Sequence, residues 1–165
     1  LREGAVPPGG ARGVALAAIV DKLQTLARQA GRTLEAEVAE DLATRGHDER
    51  LERVLGHLVQ NALDATPPSG RVWVRVARFS GQVRVEIGDT GQGMSDQFVR
   101  TRLFKPFSST KHSGMGIGTY ESAQYIRELG GSIEVDSEVG RGTVLTVLLP
   151  LFDLTRGSDL HTTPT

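Results

Sequence analysis

The chain has 165 residues, 38% of them hydrophobic and 24% charged, with 19 Lys and Arg against 20 Asp and Glu for a formal net charge of −1. That is enough apolar material for one domain with a core, and the balanced charge leaves no electrostatic footprint for nucleic acid. The lack of cysteine excludes disulfides, thiolate metal sites and a cysteine nucleophile, and no apolar run approaches the roughly 20 residues that a membrane span needs.

Residues 1–12, LREGAVPPGGAR, read as a Pro/Gly-rich linker, and residues 153–165 as a polar, frayed tail, which leaves a folded domain over 13–152. The first expected element is a helix over 14–30, with Val14, Ile19, Leu23 and Leu26 at helical spacing and Gly31 as its stop. Residues 32–40 alternate Leu34, Ala36 and Val38 with charged neighbours, the pattern of a half-buried strand. A strongly amphipathic helix follows over 48–65, its stripe made of Leu51, Val54, Leu55, Leu58, Val59 and Ala62, before Pro67 and Pro68. Two strands, 71–79 and 82–89, form a hairpin around Ser80-Gly81. The long Gly/Ser/Thr/Lys-rich stretch 90–113 holds at most a short helix near 95–102, and loops of this length are usually functional lids. A glycine-entered helix over 116–131, with Tyr120, Ala123, Ile126 and Leu129 as its apolar stripe, then precedes strands over 132–138 and 142–150 around Val139-Gly140. This order predicts a two-layer α/β sandwich, helices on one face of a mixed sheet.

Three places carry polar groups that a core does not need. His57, Asn61 and Asp64 recur at i, i+4 and i+7 on the second helix, within about 60° of one another and away from the Leu/Val stripe. A solvated helix face accounts for that pattern. So does a site in which the neutral carbonyl oxygen of Asn61 ligates a hard cation such as Mg²⁺. Asp89 shares its parity with Val83, Val85 and Ile87, which aims a carboxylate at the core from the end of a strand. Gly88, Gly91 and Gly93 around it leave room for a flat partner, and an acceptor-only carboxylate suits the exocyclic amine of adenine; a turn at Asp-x-Gly is the alternative. Finally, Gly114-Met115-Gly116-Ile117-Gly118 opens a helix but is neither a dinucleotide fingerprint nor a P-loop. Free N–H groups at such a helix start favour phosphate, and Lys111 with Ser108, Ser109 and Thr110 lies just upstream.

The ordered set HLVQNALDA, DTGQGM, LFKPFSSTK, GMGIG and GTVLTVLLP resembles the N, G1, F, G2 and final strand boxes of the ATP-binding catalytic domain of bacterial sensor histidine kinases in the GHKL superfamily. The resemblance covers about residues 14–150 and implies the Bergerat fold with a long ATP lid. It implies ATP and Mg²⁺ as cofactors, Asp89 on the adenine amine, Asn61 as the Mg²⁺ ligand, and Lys111 with Gly114, Gly116 and Gly118 around the phosphates. Phe104 and Phe107 would anchor the lid, and Thr143 would lie at the adenine edge. Asp64, Gly91, Gly93, Met94, Thr110, Met115 and Ile117 fall within these boxes as further nucleotide-binding positions. The stretch GMGIGTYESAQYIRELGGSIEV is also similar to sensor kinases of PEP-CTERM exosortase systems.

Two departures shape what the resemblance implies. The family's phosphoacceptor histidine sits on a separate helical hairpin, followed by an acidic residue and then a proline, and none of the four histidines here fits that pattern. The expectation is a monomeric catalytic domain, separate from its own dimerisation and phosphoacceptor domain. The parent would be a homodimer anchored in the inner membrane with this domain on the cytoplasmic side, signalling to a response regulator. In addition, related ATPases such as gyrase and Hsp90 carry a water-activating glutamate four residues before the motif asparagine, where this chain has His57. Phosphoryl transfer to an imidazole needs positioning and charge neutralisation more than water activation. His57 is therefore grouped with Asn61 and Lys111 as catalytic, through a hydrogen bond near the metal's shell or as a proton acceptor.

Overall fold

The computed structural model describes residues 12–103, 116–153 and 158–159. Among the described residues, nine strands and four α-helices run in the order β1 (Arg12–Ala15), α1 (Leu16–Gln29), β2 (Glu35–Val38), β3 (Ala43–Gly46), α2 (Asp48–Asp64), β4 (Val72–Phe79), β5 (Gln82–Asp89), α3 (Asp96–Phe98), α4 (Gly116–Glu128), β6 (Ser132–Glu138), β7 (Gly142–Pro150), β8 (Phe152–Asp153) and β9 (Ser158–Asp159), with a π-helical turn over Val99–Leu103 after α3. The main sheet has the order β2-β4-β5-β7-β6, with β2 parallel to β4 and every other pair antiparallel. It is the mixed sheet of the expected sandwich.

The β4/β5 hairpin forms because two β-branched alternations meet at a two-residue turn, Ser80 and Gly81, with φ of 50° and 76°. Its inward residues, Val72, Val74, Val76, Val83, Val85 and Ile87, are each at most 2% exposed. They pack in one core with Leu145, Val147 and Leu149 of β7, with Leu16, Ile19, Val20 and Leu23 of α1, and with the Leu/Val stripe of α2. The outward face is polar: Trp73 lies between Arg71 and Arg75, whose guanidinium carbons are 5.7 and 5.5 Å from its ring centre. Arg71 also makes two hydrogen bonds to Glu35, which hold that carboxyl below its usual pKa.

Three expectations change. The first helix starts at Leu16 rather than residue 14, because Arg12–Ala15 pairs with Ala43–Gly46 and the Leu16 N–H continues that ladder to the Leu42 carbonyl at 2.9 Å. The stretch 153–165 begins in a strand, since β8 pairs with β3 through Phe152 and Ala43 and with β9 through Phe152 and Asp159. These four short strands make a second sheet, β1-β3-β8-β9. Ala36 is exposed on edge strand β2, whereas Leu34 is buried and Val38 half-buried as the alternation predicts.

Gly88 is paired with Trp73 across the hairpin, and a Cβ on it would overlap the indole. Gly88→Ala is expected to displace the chain's single tryptophan, shifting its fluorescence emission and lowering unfolding free energy by about 1–3 kcal/mol in a denaturant titration. An unchanged emission spectrum would show that the ring does not rest on that glycine.

Candidate functional site

Asp89 ends β5, the central strand of the main sheet, opposite Val72 and Thr143. It is 6% exposed, and its Oδ1 accepts a hydrogen bond from the Gly91 N–H at 2.8 Å. Burial pushes its carboxyl pKa above the usual range, opposed by backbone hydrogen bonds from Gly91 and Thr143. At Gly91 a Cβ would overlap the Ala65 carbonyl, and at Gly93 (φ 73°) the Glu138 carbonyl. The space at Gly88 is filled by Trp73 on the opposite face. Gly91 and Gly93 let backbone pass backbone, fixing the loop after Asp89 against the end of α2 and the β6–β7 turn.

Asn61 is 6% exposed although it lies outside the Leu/Val stripe, because α4 covers it. The two helices run antiparallel and touch at three heights. Thr119 Oγ1 accepts from Asn61 Nδ2 at 3.3 Å, the bare backbone of Gly118 faces the His57 ring, and the Tyr125 hydroxyl accepts from the His47 N–H at 3.0 Å. The Arg50 guanidinium lies 4.2 Å over the Tyr125 ring and 3.6 Å from Glu128. The predicted polar face is thus divided rather than solvated. His57 is half-buried, its Nε2 without a hydrogen-bond partner among the described residues, and burial lowers its pKa against the opposing charges of Glu121 and Asp64. It lines an outer groove with Arg50, Glu121 and Ser122, while Asp64 is exposed and accepts from Gln60 at 2.8 Å.

Between α2, β5 and β7 lies a pocket lined by Leu58, Asn61, Ala62, Ala65, Ile87, Asp89, Gln92, Gly93, Met94, Leu103, Thr119, Thr143 and Leu145. Five residues predicted from sequence line it: Asn61, Asp89, Gly93, Met94 and Thr143. Gly91 is a hydrogen-bond donor at its rim. Gly116 and Ile117 open α4, and Gly118 packs on His57. Phe104, Phe107, Thr110, Lys111, Gly114 and Met115 lie outside the described residues. Sequence reading missed Thr119, one step beyond the glycine ladder, and Ser137, whose Oγ is 2.7 Å from Thr143 Oγ1 and accepts from the Met94 N–H at 2.8 Å. The β6/β7 register, which sets Ser137 opposite Thr143, is the signal that would have found the second.

The lining is mostly apolar, and among it sits a buried carboxylate, an acceptor that matches a heterocycle carrying an amine. Among the described residues, no group of three or more His, Cys, Asp and Glu could hold a metal. The neutral carbonyl of Asn61 suits one position on a hard cation whose other ligands are water and phosphate oxygens.

Residues 46–153 match the histidine kinase-, DNA gyrase B-, and HSP90-like ATPase family. The chain belongs to this family. Within it, the chain is 38% identical over 125 residues to the sensor protein DivL of Caulobacter vibrioides, a match covering 75% of this chain and 16% of DivL. It is 31% identical over 106 residues to sporulation kinase C of Bacillus subtilis, covering 64% of this chain and 24% of that one. The chain therefore spans about a sixth to a quarter of the length of these relatives. Its fold matches the catalytic domain of the histidine kinase ThkA in a nucleotide-free crystal form, with a TM-score of 0.73, 24% identity, and coverage of 85% of this chain and 95% of that domain. The two-layer fold expected from the motifs is the fold observed.

In this ATPase-family domain, Asp89 makes stability depend on pH with a defined sign. Its folded-state pKa is raised above the unfolded value, so its contribution is fully present below the unfolded carboxylate range and is lost as pH rises through the folded pKa. Asp89→Asn is expected to stabilise the nucleotide-free domain at neutral pH, with the gain shrinking towards zero on acidification. Paired thermal melts across pH 4–8 check this, roughly bracketing the carboxylate range; a pH-independent difference would contradict it.

Proposed function

We propose that this domain binds Mg²⁺·ATP in the Asn61/Asp89 pocket and donates the γ-phosphoryl group to a histidine of a separate dimerisation and phosphoacceptor domain in two-component signalling. The observation that carries this reading is the buried carboxylate of Asp89 in a mostly apolar pocket that Asn61, also buried, lines with it. Asp89 accepts from the adenine amine, and Leu58, Ile87, Met94 and Leu145 sandwich the ring. Asn61 offers its carbonyl oxygen to the cation. Bound Mg²⁺ would neutralise phosphate charge during an in-line transfer.

Two further features favour transfer to an imidazole over hydrolysis. The residue four before Asn61 is a histidine, whose pKa burial lowers, rather than a carboxylate able to activate water. The sequence relatives are named as sensor proteins and kinases. On this reading the parent is a homodimer that presents the domain to its own phosphoacceptor helix and signals to a response regulator. An inner-membrane anchor would lie elsewhere in the parent, as no helix among the described residues is long and apolar enough to cross a membrane. Lys111, Thr110 and the glycines 114, 116 and 118 are proposed as phosphate contacts, with Phe104 and Phe107 anchoring the lid.

Calorimetric titration with a non-hydrolysable ATP analogue, with and without Mg²⁺, tests the site. Asp89→Asn is expected to weaken binding by about 1.5–3 kcal/mol, and Asn61→Ala to remove the magnesium enhancement while the fold persists. Wild-type affinity in Asp89→Asn would take Asp89 out of the adenine site. Phosphotransfer to a supplied phosphoacceptor domain is the expected activity, and steady phosphate release without one would favour a hydrolase.

A further inference from the structure

Asn61 is offered a carbonyl role, yet an asparagine amide has two unlike ends. Oδ1 carries lone pairs that a cation can use, whereas Nδ2 carries two protons that repel it. A ligand role therefore requires the amide to be held one way round. In this chain the Nδ2 end is occupied: it donates to Thr119 Oγ1 at 3.3 Å, and both residues are buried, at 6% and 2% exposure. Thr119 belongs to α4, and α4 is itself fixed along α2 by the fit of Gly118 on His57 and by the hydrogen bond from the His47 N–H to Tyr125. The acceptor thus has a set position relative to the helix that carries Asn61.

We propose that Thr119 is a positioning residue for the cation site, holding the Asn61 amide with Nδ2 turned into the α2/α4 contact and Oδ1 turned to the pocket. The inference rests on the reading of Asn61 as the magnesium ligand. Its chemistry is that of a residue around a metal ligand, which fixes the ligand's orientation before the metal arrives. Without the Thr119 hydroxyl the amide has an unsatisfied buried donor, and turning over to bury Oδ1 instead would aim two protons at the cation.

Thr119→Val keeps the side-chain shape and removes the hydroxyl, whereas Thr119→Ser keeps the hydroxyl. Titrating each with a non-hydrolysable ATP analogue in EDTA and in Mg²⁺ gives a magnesium enhancement, the ratio of the two affinities. Thr119→Val is expected to lower that ratio roughly three- to tenfold, and Thr119→Ser to restore it. A second readout needs neither metal nor nucleotide. The Asn61 side-chain amide signal, assigned by its loss in Asn61→Ala, should exchange slowly with solvent in the wild type and Thr119→Ser, and rapidly in Thr119→Val. Should near-UV circular dichroism show Thr119→Val unfolded, Thr119→Ala takes its place in both comparisons. A full magnesium enhancement in the hydroxyl-free variant, or an unaltered Asn61 signal, overturns the role of Thr119 while leaving Asn61 as ligand. A wild type with no magnesium enhancement, or one that Asn61→Ala retains, overturns the metal reading and the proposal together.

Discussion

The buried carboxylate of Asp89 is the constraint around which the rest of the domain is arranged. A charge at 6% exposure in a sheet core is costly unless hydrogen-bonded, so the chain beyond it must return its N–H groups to the carboxylate within two residues. Gly91 does so, and it can only because its missing side chain lets the loop lie on the Ala65 carbonyl at the end of α2. Gly93 then passes the Glu138 carbonyl, and the Gln92 carbonyl accepts from the Gly140 N–H at 2.8 Å. One carboxylate thereby fixes the relation between β5, the C-terminal end of α2 and the β6–β7 turn that leads into β7, and residues of β5, α2 and β7 line the pocket.

The remaining wall depends on α4 lying along α2. Besides the Gly118 backbone packed on the His57 ring and Ile126 in the shared core, the contact includes two hydrogen bonds, Asn61 to Thr119 and the His47 N–H to Tyr125. Polar contacts are directional where apolar ones are not, so they specify the register of α4 as well as its proximity. That register decides which residue of α4 meets Asn61. A shift of one residue would replace Thr119 with glycine or tyrosine.

Much of this was legible because its signals are local. The β4/β5 hairpin follows from alternation and a Ser-Gly turn, the α2 stripe from its period, and the direction of Asp89 from parity alone. What was not legible is long-range. The strands β1, β3, β8 and β9 have four, four, two and two residues, too few to show alternation, and β3 pairs with β1 and β8 only because chain segments far apart in sequence meet. The polar side of α2 carried the pattern of a solvated face, and nothing within that helix reveals that another helix covers it. The glycines of DTGQG read as clearance for a ligand, and that Gly91 and Gly93 also let the loop pass the Ala65 and Glu138 carbonyls requires knowing where those residues sit. His57 was grouped with Asn61 by helical angle, but one turn along the axis is enough to move it from the pocket into the neighbouring groove.

Two buried polar side chains in an apolar slot do not hold a domain together, so the stabilising free energy must lie elsewhere. The outer face of the sheet has several ion pairs, among them Arg71 with Glu35, Arg78 with Glu40 and Arg75 with Glu37, but their side chains are 44 to 76% exposed. Exposed pairs of this kind are screened and contribute little. The main support is the apolar core between that sheet and the helices, where Leu51, Leu58, Val83, Ile126, Val147 and Leu149 are fully buried at 0% exposure. Function and stability are thus separated along a single strand. Val83, Val85 and Ile87 bind β5 into the core, and the next residue of the same parity, at the point where that core opens into the pocket, is Asp89.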